Sequence, residues 1–336
     1  MVKTLIIGHE DVKRLLPMAE CIDVMDDLFG ALTRGDVVLP LRQIIPQPDR
    51  KGVFAVMPAY LGSPRAVGGK FITVFNGNQD TPYESHQGAV LLFECDSGRL
   101  LAIVDATTVT NIRTAGASGA ATRALARKDA HDLTILGSGT QASTHLAAMR
   151  AVREIIRVKV WSRNPEHARR FAQAEWSGGE RVEVSSSAEE AVSGADIVCT
   201  TTAATSPVLK GEWISPGAHI NAIGASVPGY RELDSKAMAM SKLYTDRREA
   251  LFSEADDFRV PLKEGAIKED HLKGELGEVI IGKVAGRSSN AEITLFKSQG
   301  SAVEDLAAAY HVYTKAQEKG LGTWVEFSGE REMRSE

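Results

Sequence analysis

The sequence predicts an α/β fold in which a parallel, helix-covered sheet is joined to a second, α+β domain with an antiparallel sheet. Three observations carry this. From Asp132 to about Thr245, apolar runs alternate with helical stretches, which marks a parallel sheet buried on both faces. Glycines separate the first of those runs, DLTILG, from the helix after it. The first 120 residues differ: apolar runs follow one another with turn residues between them, as in an antiparallel meander.

Taken in order, a helix is expected over 18–34. Strands follow in GVFAVMPAYL, AVGGKFITVF, GAVLLFECD and GRLLAIVDA. LGSPRAVGG and NGNQDTPYES separate the first three, and Asp96-Ser97-Gly98 makes the last hairpin turn. A helix over 107–127, rich in glycine and alanine, leads into the alternating region. There, strands are expected at 132–137, 157–163, 181–187, 195–202 and 219–225, with a sixth at 242–246. Helices over 140–153 and 165–176, and the segment AEEAVSG, lie between the first four. The last strong helix, 302–319, is expected to return to the first domain. The domains are therefore discontinuous: 1–120 plus 303–336, and 121–302.

Composition narrows the function. With 336 residues the chain has room for two cores. Hydrophobic residues at 43% and charged residues at 25% suit a soluble globular enzyme. The net charge of −5, with no basic block, argues against nucleic acid or an anionic membrane as partner. Cys21, Cys95 and Cys199 have no zinc spacing, so no metal is expected, and they read as reduced thiols of a cytoplasmic protein. The first apolar run is too short and too charged for a signal peptide, and no 18-residue apolar stretch spans a membrane.

Gly137-Ser138-Gly139-Thr140-Gln141-Ala142 fits G-x-G-x-x-G/A between a strand and a helix, the context a Rossmann dinucleotide site requires. Gly137 permits the tight turn, Gly139 lets the backbone approach a pyrophosphate, and Ala142 keeps the helix close to the strand. The helix N-terminus then faces the phosphates. Thr201, closing the fourth strand, is expected beside the same cofactor. The second strand ends Val160-Trp161-Ser162-Arg163, with no acid to take the ribose hydroxyls. Ser162 and Arg163 can instead hold a 2′-phosphate. NADP(H) is favoured and NAD(H) left open.

Beyond these motifs, LPLRQIIP (39–46), GGKFITVFNGN (68–78), DATTVTNIRTAGASGAAT (105–122), LGSGTQA (136–142), NAIGASVPGYRELD (221–234) and LFKSQGSAVEDLAAA (295–309) together resemble the ornithine cyclodeaminase/mu-crystallin family over nearly the whole chain. The resemblance implies a homodimer built through the first domain, a Rossmann second domain and a site between them. It also implies that Arg42, Lys70 and Arg113 hold a substrate carboxylate. The chemistry is sound on its own: guanidinium forks bind carboxylates, and Lys70 stands in an apolar strand where an unpaired charge is costly. Lys70 can also exchange a proton with a substrate nitrogen if its pKa is lowered. The plainer reading of Lys70 is an ion pair or a solvated strand face. Met57, Thr114, Gly300 and Ser301 are expected around the substrate. His86 either lines the site or lies on the surface, the latter being favoured.

Cyclodeaminases and alanine dehydrogenases of the family carry Asp where this chain has Ser226. A serine is no carboxylate base at neutral pH. The expectation is therefore an NAD(P)H-dependent reductase of a small α-imino acid, giving the L-amino acid. Ornithine cyclodeaminase, an alanine dehydrogenase-like enzyme and a non-catalytic binding protein are the alternatives.

Overall fold

The computed structural model describes residues 2–49, 51–78, 81–175 and 181–328. They form two compact units. The first comprises Met1–Val24, Arg34–Arg113 and Ser301–Glu336, and the second Met25–Thr33 and Thr114–Gly300. The joint expected at 120/121 and this division at 113/114 fall within one helix, which runs through both.

The chain starts with β1 (Val2–Ile7), α1 (His9–Leu15) and α2 (Met18–Arg34). Next come β2 (Val37–Val38), β3 (Gln43–Pro46), β4 (Val53–Gly62), β5 (Arg65–Val74), β6 (His86–Phe93) and β7 (Leu100–Asp105). The first sheet runs β16-β1-β7-β6-β5-β4-β2, with β3 also paired to β4; β16 is the strand Thr323–Ser328, late in the chain. β4 to β7 form the expected antiparallel meander. Its faces separate by the period-2 rule. On β5, Ala66, Lys70 and Ile72 are buried, whereas Val67 and Phe71 are exposed.

The run VKTLIIG departs from expectation. It forms β1, parallel to β7 and antiparallel to β16, so the sheet is mixed. One short apolar run gives no sign of a partner so far along the chain.

Helix α3 (Ala106–Leu125) is lined with small residues, among them Ala115, Ala117, Ala120 and Ala121, all fully buried. The second unit then alternates strand and helix, except that the strand His219–Ala222 follows Ile197–Thr200 without an α-helix between them and two helices follow the strand Lys242–Thr245. β8 (Asp132–Leu136), α4 (Thr140–Val152), β9 (Arg157–Trp161) and α5 (Pro165–Ala174) come first. The expected end of α5 at Trp176 lies outside the described residues. β10 (Val182–Val184), α6 (Ala188–Val192), β11 (Ile197–Thr200) and β12 (His219–Ala222) follow. After them come α7 (Ser235–Met240), β13 (Lys242–Thr245), α8 (Arg248–Glu254), α9 (Asp256–Lys263), β14 (Leu272–Glu275), α10 (Leu276–Ile280) and β15 (Thr294–Lys297).

These strands make an eight-stranded, all-parallel sheet, ordered β10-β9-β8-β11-β12-β15-β13-β14. Six strands were expected. β15 lies between β12 and β13 although it follows both in the chain, and β14 forms the edge. Leu136, Val198, Ile220, Leu243, Leu251, Phe258 and Leu295 belong to one buried cluster in this unit. The winding reverses between β8 and β11, and in doubly wound sheets ligands bind at that switch point.

The chain returns to the first unit with α11 (Ala302–Lys319), capped by Gly320 at φ 64°, and β16 is the last element among the described residues. α11 packs against β4, β5 and β6. Among the described residues, no helix is long and apolar enough to cross a membrane.

Candidate active site

Lys70 sits mid-β5, directly opposite Met57 of β4 and Val90 of β6. Paired residues share a face, so Lys70 lies in an apolar row. It is 3% exposed, Met57 5% and Val90 0%. Helix α11 covers this row at close range because position 68 is glycine. A Cβ there would stand 2.0 Å from the Leu91 carbonyl oxygen and 3.0 Å from Leu306 Cδ1. One residue before Leu306, Asp305 places Oδ2 2.7 Å from Lys70 Nζ.

The same carboxylate reaches α3. Arg113, also buried, donates from Nε to Asp305 Oδ1 at 2.8 Å and from Nη1 to Glu304 Oε2 at 2.9 Å. The Thr110 hydroxyl accepts from Lys70 Nζ and donates to Asp305 Oδ1, each at 3.4 Å. Glu304 has a second task. Its Oε1 accepts the Ser301 N–H and hydroxyl, both at 2.8 Å, closing a capping box on α11. The Ser301 hydroxyl, expected at the substrate, is therefore bonded to Glu304.

Burial pushes the Lys70 pKa down to about 8; Asp305 works against this, while Arg113 and Arg42 add to it. Burial also opposes the charge on Arg113, but Asp305 and Glu304 outweigh it and raise its pKa. Asp305 is held below the usual carboxylate range: burial would raise it, and Arg113 and Lys70 prevail. Arg42 precedes β3 and is half-buried. Thr114 is 9% exposed and follows Arg113 on α3. His86 is exposed at the start of β6.

In the second unit, Gly137 follows β8 with φ 125°, a conformation that disfavours L side chains. A Cβ there would meet Thr201 Oγ1 at 2.5 Å and the Thr201 carbonyl oxygen at 2.8 Å. Thr201 itself is tied to Leu136 O through its N–H at 2.8 Å and its hydroxyl at 3.3 Å. Gly139 is the N-cap of α4 and Thr140 its first residue, both exposed. A glycine cap adds no side chain over the first turn of α4, where the Ala142 N–H bonds the Gly139 carbonyl at 2.9 Å. Half-buried Ser138 and Gln141 complete the loop, and buried Ala142 seats the helix. These features suit a pyrophosphate. Past β9, Ser162 is half-buried and Arg163 exposed, while Glu166 falls in the first turn of α5 and pairs with Arg169.

Ser226 follows β12, and its carbonyl accepts from Gln299 Nε2 at 3.3 Å. Gly300, at φ 72°, donates its N–H to Asp246 Oδ2 at 2.7 Å, beside the Gln299 N–H at 2.6 Å. The structure thus joins Lys70 to Arg113, the glycine loop to Thr201, and the Ser226 loop to that of Gly300. His131, Asp132 and Asp196 are the metal-capable trio among the described residues, but their carboxylates already pair with Arg157 and Arg127.

Sequence reasoning missed Asp305, Glu304, Glu232 and Asp246. The only signal for the first two was a pair of adjacent acids in the otherwise apolar first half of the helix, a pattern that also fits simple interaction with the helix dipole.

Comparison with known proteins places the chain in a family. The profile of the ornithine cyclodeaminase/mu-crystallin family matches residues 2–320. The chain is 43% identical over 279 residues to the ketimine reductase mu-crystallin of Mus musculus, covering 83% of this chain and 85% of that one. It is 36% identical over 325 residues to a Delta(1)-pyrroline-2-carboxylate reductase of Bacillus cereus, covering 96% and 100%. The structure of Thermococcus litoralis Delta(1)-pyrroline-2-carboxylate reductase in complex with NADH and L-proline superposes with a TM-score of 0.92 at 39% identity, over 95% of this chain and 99% of that one. The chain belongs to the ornithine cyclodeaminase/mu-crystallin family.

Proposed function

We propose that this protein is an NAD(P)H-dependent reductase that converts a small α-imino acid to the L-amino acid. The observation that carries the reading is Lys70, a buried amine whose pKa is brought down to about 8 beside two arginines. Such a group holds a proton at neutral pH and releases it readily. The named relatives are reductases of this kind, and one was solved with NADH and L-proline.

Arg42 and Arg113 bind the substrate carboxylate, and Lys70 orients it and protonates the nitrogen. Met57 and Thr114 shape the surroundings. The reduced nicotinamide, when bound, supplies the hydride for the imine carbon. The turn at Gly137 and the N-terminus of α4 hold the pyrophosphate; Ser162 and Arg163 favour a 2′-phosphate, hence NADPH. Ser226 offers a hydrogen bond but no carboxylate base, which separates this reading from cyclodeamination.

A panel of Δ1-pyrroline-2-carboxylate, Δ1-piperideine-2-carboxylate, iminosuccinate, and pyruvate with ammonia or methylamine, each with NADPH and with NADH, tests the assignment. Proline and ammonia from L-ornithine with catalytic NAD+, without NADPH use on any imine, would overturn it.

The first unit is also read as the base of a homodimer. Val67 and Phe71 on β5 and Ile44 and Ile45 on β3 are exposed apolar residues that a second copy would cover. Light scattering showing a stable monomer at micromolar concentration would refute this.

A further inference from the structure

We propose that Asp305 is the positioning residue of this reaction: from the first turn of α11 it holds the Lys70 ammonium ready for transfer and, with its second oxygen, fixes Arg113 beside it. This rests on the reductase reading. Asp305 Oδ2 stands 2.7 Å from Lys70 Nζ and Oδ1 2.8 Å from Arg113 Nε. All three residues are at most 4% exposed, so water does not screen the pairing.

The task is separate from building the helix. Glu304, not Asp305, closes the capping box of α11. The Asp305 carboxylate faces Lys70, Arg113 and Thr110. Thr110 bridges the pair, with its hydroxyl 3.4 Å from Lys70 Nζ and 3.4 Å from Asp305 Oδ1.

The physical need is plain. Burial and the charges of Arg113 and Arg42 all push the proton off Lys70, and Asp305 is the group that keeps it there. In the transfer, one Nζ–H bond of Lys70 breaks. The substrate nitrogen forms an N–H bond with the π pair of C=N, as the carbon accepts hydride. Neutral Lys70 then regains a proton from solvent. Without Asp305, Lys70 would be largely neutral at the start of the cycle.

The test is D305N, which keeps the shape and removes the charge. The expected result is a kcat about tenfold lower at neutral pH, an alkaline limb of the kcat profile moved down by about two pH units, and an unchanged NADPH Kd. Loss of activity at all pH values with the limb in place, or wild-type activity, would overturn the proposal. D305E keeps the charge and should retain the wild-type limb with a lower kcat; a limb displaced in D305E would also overturn it. This variant carries the test if D305N does not fold.

Nitrogen-15 NMR of the Lys70 ammonium gives a readout independent of turnover. Its titration midpoint should fall in D305N and stay in D305E. If the wild-type protein reduces no imine, the reductase reading fails by itself, and the hold of Asp305 on Lys70 is still judged by that midpoint.

Discussion

The Glu232 carboxylate accepts the backbone N–H of Gly224 at 2.7 Å. It also accepts the Thr200 hydroxyl at 2.7 Å, and the Thr202 N–H and hydroxyl at 2.6 and 2.7 Å. One fully buried acid thus gathers the loops that leave β11 and β12. Glu232→Ala strips the acceptor from four donors. The expected loss of stability is about 3–5 kcal/mol, read as a lower urea midpoint. A midpoint equal to wild type would mean that these donors find other acceptors.

Gly137→Ala puts a methyl group where Thr201 Oγ1 would be 2.5 Å away, at a backbone φ of 125°. The turn must then open. Affinity for the dinucleotide should fall about tenfold or more, measured by NADPH fluorescence titration. Undiminished binding would remove the glycine loop from the phosphate site.

Arg163 is exposed just past β9, and in the proposed function it holds a 2′-phosphate. Arg163→Ala should weaken NADPH by about 1.5–3 kcal/mol, roughly ten- to a hundredfold, and NADH far less. Equal losses for the two cofactors would make Arg163 a bystander.

Ser226→Ala should retain much of the activity, because its hydroxyl supplies at most one hydrogen bond of about 0.5–1.5 kcal/mol. Arg113→Ala should instead cost several kcal/mol of transition-state binding. It should also lower stability, since Asp305 and Glu304 would be left buried without their guanidinium partner. Steady-state kinetics beside urea unfolding separates the two effects. An inactive Ser226→Ala that folds normally would contradict the roles assigned here.

Acid should weaken the fold through two buried histidines. His145 bonds Gln141 O and Ser118 Oγ, and burial lowers its pKa to about 4. Burial likewise lowers His219 to about 3. In the unfolded chain both titrate near the ordinary value of 6.5. Below that pH the unfolded state takes up protons that the native state refuses. The stabilisation is therefore complete above 6.5 and is lost as pH falls toward 4, by about 1.4 kcal/mol per pH unit for each histidine. Urea midpoints recorded from neutral pH down to pH 5 check this, and a flat profile would contradict it.

Much of this was legible in local sequence. α2 and α11 match their expected spans, 18–34 and 302–319, because helical periodicity and Gly320 mark them. The glycine loop announced itself by its setting between strand and helix. Lys70 stood out as a charge inside an apolar run, and the plainer reading, an ion pair, is what the structure shows alongside the arginines. The partner stayed hidden because tertiary packing, not spacing, brings α11 over β5. β15 was hidden for a related reason: four residues inserted between two earlier strands leave no periodic trace.

The pairing of β1 with β16, from Lys3 opposite Glu326 to Ile6 opposite Thr323, sets an order on biosynthesis. While a ribosome makes the chain, β1 can join β7 early, but its other edge waits for the last strand. All of the parallel sheet emerges in between. At ~5–20 residues per second, the open edge persists for tens of seconds. An unpaired strand edge is a template for association with other chains. The nascent protein should therefore be most vulnerable to aggregation after its second unit has folded, and truncation before Thr323 would make that exposure permanent.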